Sequence, residues 1–183
     1  SIESNTPVSD LLTERGPTTA TLALGAFIVT LAVSIPAGMA AGIFLIRRRR
    51  DAAQSAFSAT TGFLSSIPDY IMCVILIQIF GVTFHLLPPA GGTGFRSFVL
   101  PVAALSLGPR AYLTRLVRAE TQRVLSEPYM RTARAKRLAT SRLYVRHALP
   151  NILVSTLAVS GLLLIGLISG TVLVESIFGL SGL

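Results

Sequence analysis

The residues with chemistry to offer are few and unevenly placed. The densest group lies between Glu127 and Pro150, reading EPYMRTARAKRLATSRLYVRHALP. It sets Arg131, Arg134, Lys136, Arg137, Arg142 and Arg146 against one acid, Glu127. Catalytic sets are missing. No Gly-rich phosphate loop ending in Gly-Lys-Ser/Thr occurs, so the chain is not an ATPase by that motif. His85 and His147 fall on opposite sides of the membrane in the topology derived below, which leaves no Ser-His-Asp set. There are no paired carboxylates and no His/Cys cluster at ligand spacing, so no metal site is predicted. Cys73 is alone inside an apolar run and reads as a small buried hydrophobe. The chain reads as a non-enzyme.

Composition says where such residues must sit. Half of the 183 residues are apolar (51%), 13% are charged and Trp is absent. The mean hydropathy is +0.68. Those values belong to an integral membrane protein. A formal net charge of +8 on a soluble protein would point to nucleic acid. Here all basic residues except Arg15 and Arg96 fall on segments assigned to the cytoplasmic side or its membrane edge. The charge therefore reports topology, because cytoplasmic loops are enriched in Lys and Arg, and nucleic-acid binding is not predicted.

Four spans are predicted, at about residues 21–46, 67–84, 98–117 and 152–174. The first is a helix of roughly 39 Å, ample for a hydrocarbon core of about 30 Å, and Arg47 to Arg50 hold its end inside. Gly38 and Gly42, four apart, allow a close helix–helix approach. Asp51–Ser66 is a polar return segment. Asp69 opens the second span, either at headgroup level or facing a protein cavity. The Gly- and Pro-rich stretch from His85 to Arg96 is an external loop. Gly108-Pro109 interrupts the third span, and Arg110 follows at once. Arg110 either snorkels to the headgroups or faces an aqueous translocation path. In the last span Gly161, Gly166 and Gly170 form a face for close packing, and Glu175 ends it as a solvated end charge or an outer gate contact.

The basic stretch then lies within a cytoplasmic loop, residues 119–150. Ser126 is predicted to cap a helix starting at Glu127, with Pro128 tolerated in its first turn. Ala139-Thr140-Ser141 makes a break, and Ser141 caps a second short helix that stops at Pro150.

These residues also carry a family resemblance. Arg131-Thr132-Ala133, Arg137 and His147-Ala148-Leu149-Pro150 stand at the spacing of the E-A-A, three residues, G, nine residues, I-x-L-P loop of binding-protein-dependent ABC importer permeases. YMRTARAKRL followed by RHALPN is similar to the dipeptide/oligopeptide branch. So are Leu86-Leu87-Pro88-Pro89-Ala90-Gly91 and the closing run Val174 to Leu183. The resemblance implies an all-α polytopic bundle of the type I importer permease fold, usually with six spans. On that basis residues 1–18 are an extracytoplasmic segment, 19–183 are permease domain, and the first and last family spans lie outside this chain.

The resemblance further implies a multi-pass protein of a bacterial or archaeal inner membrane. Its implied partners are a second permease subunit, two ATP-binding cassette ATPase subunits that hold ATP and Mg, an external substrate-binding protein and membrane lipid. The coupling residues it implies are Glu127, Tyr129, Thr132, Ala133, Ala135, Lys136 and Arg137, with Arg110 a candidate for the translocation path. Arg137 departs from the family glycine. The first helix is then expected to run on to Leu138, with Arg137 bridging to an acidic ATPase groove. Peptides are the implied substrate, with nickel complexes, glutathione and sugars handled by close relatives. A secondary transporter or channel subunit without an ATPase partner is the competing reading.

Overall fold

The computed structural model describes residues 8–48, 51–91, 94–136 and 139–180. They are nearly all helical, with no strand among them. The order is α1 (Val8–Arg48), α2 (Asp51–Ser66), α3 (Asp69–Leu76), α4 (Phe95–Ser126), α5 (Pro128–Ala135), α6 (Thr140–Arg142) and α7 (Leu149–Phe178). Two stretches of wider, π-type turns extend this set. Ile77–Thr83 continues α3, and Leu143–Ala148 joins α6 to α7.

Apolar length sets what can cross a bilayer. Thr13–Leu45 within α1 and Thr140–Phe178 qualify, and the pair α2 and α3, broken at Ile67–Pro68, makes a third if it counts as one span. The predicted third span lies in α4, where Arg110 and Arg115 fall inside the apolar run 98–117. Helix boundaries also move outward. α1 begins at Val8, inside the segment expected to precede the membrane. Neither Pro36 nor Gly108-Pro109 ends its helix.

The described chain forms two compact units, and α1, α4 and α7 each contribute to both. One comprises residues 1–29, 66–108 and 163–183, the other 30–65 and 109–162. The first is built on an apolar core of Leu22, Ala26, Met72, Cys73, Leu100, Ala104, Leu105, Leu167, Val174 and Phe178. At its loop end two of the motifs quoted above meet, since the Gly91 N–H donates to the Phe178 carbonyl at 3.0 Å. Gly179 (φ 61) terminates α7 in left-handed backbone. The Leu180 N–H then reaches back to the Glu175 carbonyl at 2.9 Å, the six-to-one bond of a Schellman cap.

The second unit is organised by a tight crossing of α1 and α4. A Cβ on Gly38 would stand 2.6 Å from Val117 Cβ and 2.8 Å from the Thr114 carbonyl oxygen, and one on Gly42 would stand 2.7 Å from Thr121. Glycine at both positions is what lets the backbones approach, as expected of small residues four apart. Arg115 ties α4 to α2 through Ser65 Oγ at 3.1 Å. Arg118 reaches Gln54 at 3.5 Å and lies over the Phe57 ring, 4.8 Å from its centroid. α2 is therefore held by arginines of α4.

Candidate functional site

α5 begins where the sequence allows a helix to begin, though not by the expected cap. Glu127 is the N-cap in extended backbone (φ −62, ψ 148), and Pro128 takes the first helical position, where a missing N–H leaves no bond unmade. Ser126 does not cap it. Its hydroxyl donates to the Arg123 carbonyl at 2.6 Å, and the Glu127 side chain accepts from Arg123 Nη1 at 3.3 Å. At the other end Arg134 Nη2 donates to the Leu125 carbonyl at 3.1 Å, satisfying one of the orphan acceptors at the end of α4. α5 is thus fastened to α4 at both ends of its own short length.

One face of α5 is sealed and another is open. Met130 is fully buried and Ala133 nearly so, while Tyr129 is 41% exposed and Thr132, Lys136 and Ala135 are exposed. Tyr129, Thr132, Ala133 and Lys136 follow the i, i+3, i+4, i+7 spacing of a single helical face. Together with His147 they line a groove of about 320 Å³. Ala133 contributes the smallest side chain of that lining. Burial, with the Glu127 charge next, pushes the Tyr129 phenol above its ordinary range. It therefore presents a neutral O–H, able to donate and accept.

His147 was not among the residues expected here. It lies in the wide turns of Leu143–Ala148, and the second short helix does not stop at Pro150. A proline inside a helix lacks an N–H and crowds the carbonyl one turn back. The wide turns of Leu143–Ala148 come just before it, Asn151 Nδ2 donates to the His147 carbonyl at 2.8 Å, and the helix runs on as α7. The motif RHALP carried the histidine in plain view, but its face depends on those wide turns.

The remaining expected site residues separate. Glu127 pairs with Arg123 on α4 and Ala135 lies off the groove face, so neither lines it. Arg137 and the expected continuation to Leu138 lie outside the described residues. Arg110 is half-buried on α4, and its carbonyl accepts from Ser34 Oγ at 3.1 Å.

Two acids stand apart from all of this. Glu175, expected mainly as a solvated end charge, is 2% exposed, and both carboxylate oxygens lack a hydrogen-bond partner among the described residues. Asp69, expected at headgroup level or facing a cavity, has its oxygens toward Gly108 and Gly170. Of the three glycines predicted to share a packing face, Gly170 meets Leu105, while Gly161 and Gly166 have nothing within 4 Å.

Comparison with known proteins agrees with these features. Residues 34–183 match the family described as binding-protein-dependent transport system inner membrane component. The chain is 34% identical over 176 residues to the dipeptide transport system permease protein DppB of Bacillus subtilis, covering 96% of this chain and 56% of that protein. It is 34% identical over 178 residues to the oligopeptide transport system permease protein OppB of Salmonella typhimurium, covering 96% and 57%. OppB of Escherichia coli is 33% identical over the same length, with the same coverage. The chain therefore spans little more than half the length of the relatives it matches. With a family match over most of its length, an almost wholly helical build and helices apolar enough to span, the chain belongs to the inner-membrane permease components of binding-protein-dependent transport systems.

Proposed function

We propose that this chain is part of a permease subunit of an ATP-driven importer for di- or oligopeptides, supplying half of the translocation pathway. The observation that carries the coupling role is the groove on α5. A short helix with one sealed face, fixed at both ends, presents an aromatic residue, a small side chain and a cation on the other. Aromatic side chains beside small residues are suited to anchoring a protein contact. In this reading the α5 face formed by Tyr129, Thr132, Ala133 and Lys136 seats against an ATPase subunit, with His147 at its edge. Arg137 adds a bridge to an acidic partner surface. ATP and Mg belong to the two ATPase subunits, and a substrate-binding protein delivers peptide from outside.

The basic residues support the orientation. Those of the second unit crowd residues 110–146 and the end of α1, as cytoplasmic segments do. The external N-terminal segment, the coupling loop over 119–150 and a crossing by α4 complete the proposed topology. Closure of the ATPases would carry α5 and α4 together through the bonds between them. Arg110, at the inner part of α4, is assigned to the aqueous path. Peptide as substrate is supported by the names of the relatives.

The test is to purify the full-length protein from its native membrane in mild detergent and identify every accompanying chain by mass spectrometry. Two ATPases and a second permease are expected. Reproducible absence of any ATPase would overturn the coupling role and bring the secondary-transporter reading forward. ATP-dependent uptake of labelled peptide that stops with vanadate but persists with proton uncouplers is the functional counterpart.

A further inference from the structure

Asp69 stands in the first turn of α3, where the helix dipole favours a negative charge. Pro68, in extended backbone (φ −60, ψ 144), closes the break after α2, and Asp69 opens α3. Its carboxylate stands against two positions that carry no side chain. Oδ1 is 3.8 Å from the place of a Cβ on Gly108, and Oδ2 is 3.8 Å from the same place on Gly170.

Helix lengths give the depth. At 1.5 Å per residue, Gly108 lies about 20 Å along α4 from Phe95, and Gly170 about 12 Å before the end of α7 at Phe178. The wider turns after Leu76 shorten the rise, yet Asp69 is still roughly 20 Å from the loop that follows Thr83. If these helices cross a hydrocarbon core of about 30 Å as the permease reading has it, their lengths place the carboxylate within the core. It is half-exposed. It has no hydrogen-bond or ion-pair partner among the described residues, whose ion pairs join Arg123 to Glu120 and Glu127.

An ionised side chain at such depth faces water, a path or a counter-charge. A carboxylate offers about four acceptor positions and no donor, and an ammonium group offers three donors and no acceptor. Charge-assisted bonds between the two are the strong kind. Gly108 and Gly170 keep both oxygens clear of methyl groups, which matters only if something polar must come close to them. We propose that Asp69 is a substrate-contacting residue, its carboxylate accepting the ammonium group of a peptide in transit. The inference rests on the permease reading above. The ammonium could be the peptide's N-terminus or a lysine side chain, which share the same chemistry.

The experiment uses the assembled permease–ATPase complex in detergent, without binding protein, so that the selectivity of that protein does not enter. Labelled tri-alanine, N-acetyl-tri-alanine and N-acetyl-Ala-Lys-Ala are bound to the wild type and to Asp69→Asn. The wild type is expected to hold tri-alanine about tenfold or more tightly than its acetylated form, the range of a charge-assisted bond. In Asp69→Asn that preference is expected to vanish, and Asp69→Glu to restore part of it. Recovery of affinity by the lysine peptide identifies any ammonium as sufficient; no recovery assigns the contact to the N-terminus.

A preference that survives Asp69→Asn, or a wild type that binds tri-alanine and its acetylated form equally, overturns the proposal. Should Asp69→Asn fail to assemble, Gly108→Ala carries the test. Its methyl meets nothing within 4 Å except Oδ1 at 3.8 Å, so it should weaken tri-alanine binding several-fold and leave acetyl-tri-alanine unchanged. Equal effects on both peptides would sink the idea. A complex that purifies without ATPases fails at an earlier step, overturning the permease reading and this proposal together.

Discussion

The two compact units treat charge in opposite ways. Fourteen of the sixteen basic residues and three of the eight acids belong to residues 30–65 and 109–162. There, several cations are tied down. Arg115 bonds Ser65, Arg118 lies on Phe57, Arg123 pairs with two glutamates and Arg134 holds a carbonyl of α4. The other unit has two basic and five acidic residues. Two of its acids, Asp69 and Glu175, have no hydrogen-bond or ion-pair partner among the described residues. Of the two only Glu175 is buried, and a buried carboxylate left unsatisfied is rare.

The comparison is most exposed to failure at Glu175. It lies in the last turn of α7, where the helix dipole disfavours negative charge, and an unpaired buried carboxylate costs several kcal/mol. Glu175→Gln keeps the shape and removes the charge, so the thermal midpoint in detergent should stay equal or rise. Glu175→Lys should leave little folded protein on size exclusion. A clear loss with glutamine would mean that the carboxylate is partnered in the assembled protein, and the contrast between the units would go.

Next in size is the α1–α4 crossing. Gly38→Ala drives a methyl into Val117 and the Thr114 carbonyl and should destabilise by about 1–3 kcal/mol. Gly166→Ala meets open space and should change thermal stability by about 0.5 kcal/mol or less. Equal losses at the two sites would show that Gly166 is packed in the assembled transporter.

Tyr129→Ala sharpens the anchoring role of the basic unit. It should weaken ATPase co-purification by roughly 1–2 kcal/mol, about tenfold, and leave the melting of the isolated chain unmoved because the ring is exposed. Full retention of ATPase would remove α5 from the contact. The smallest effect is expected at Arg118→Leu. Loss of its ring contact is worth about 0.5–1 kcal/mol, partly offset by relief of the Nε that is buried without a partner. A large drop in melting temperature would show that α2 depends on that one arginine.

Which of these features can be read without coordinates follows physical lines. Local chemistry is readable. Pro128 starts α5 because a proline's missing N–H costs nothing in the first turn, and Gly38 with Gly42 fall on one side of any helix. Competing local bonds are less so. Ser126 satisfies the Arg123 carbonyl instead of capping α5, since a serine hydroxyl can turn either way. Pro150 reads as a stop and is not one, because the wide turns before it absorb the break. The groove residues 129, 132, 133 and 136 share a helical face by spacing alone, whereas His147 joins them only through those turns.

The sequence by itself determined the class: an inner-membrane, helical permease component with a basic loop, set by apolar run lengths, arginine placement and motif spacing. Those are properties of segments, and each segment carries its own. Tertiary structure alone decided the approach of Asp69 to Gly108 and Gly170, the burial of Glu175, the meeting of the Gly91 loop with the end of α7, and which glycines pack. Each of these depends on residues far apart in the chain arriving at the same place. No period or composition of one segment encodes that.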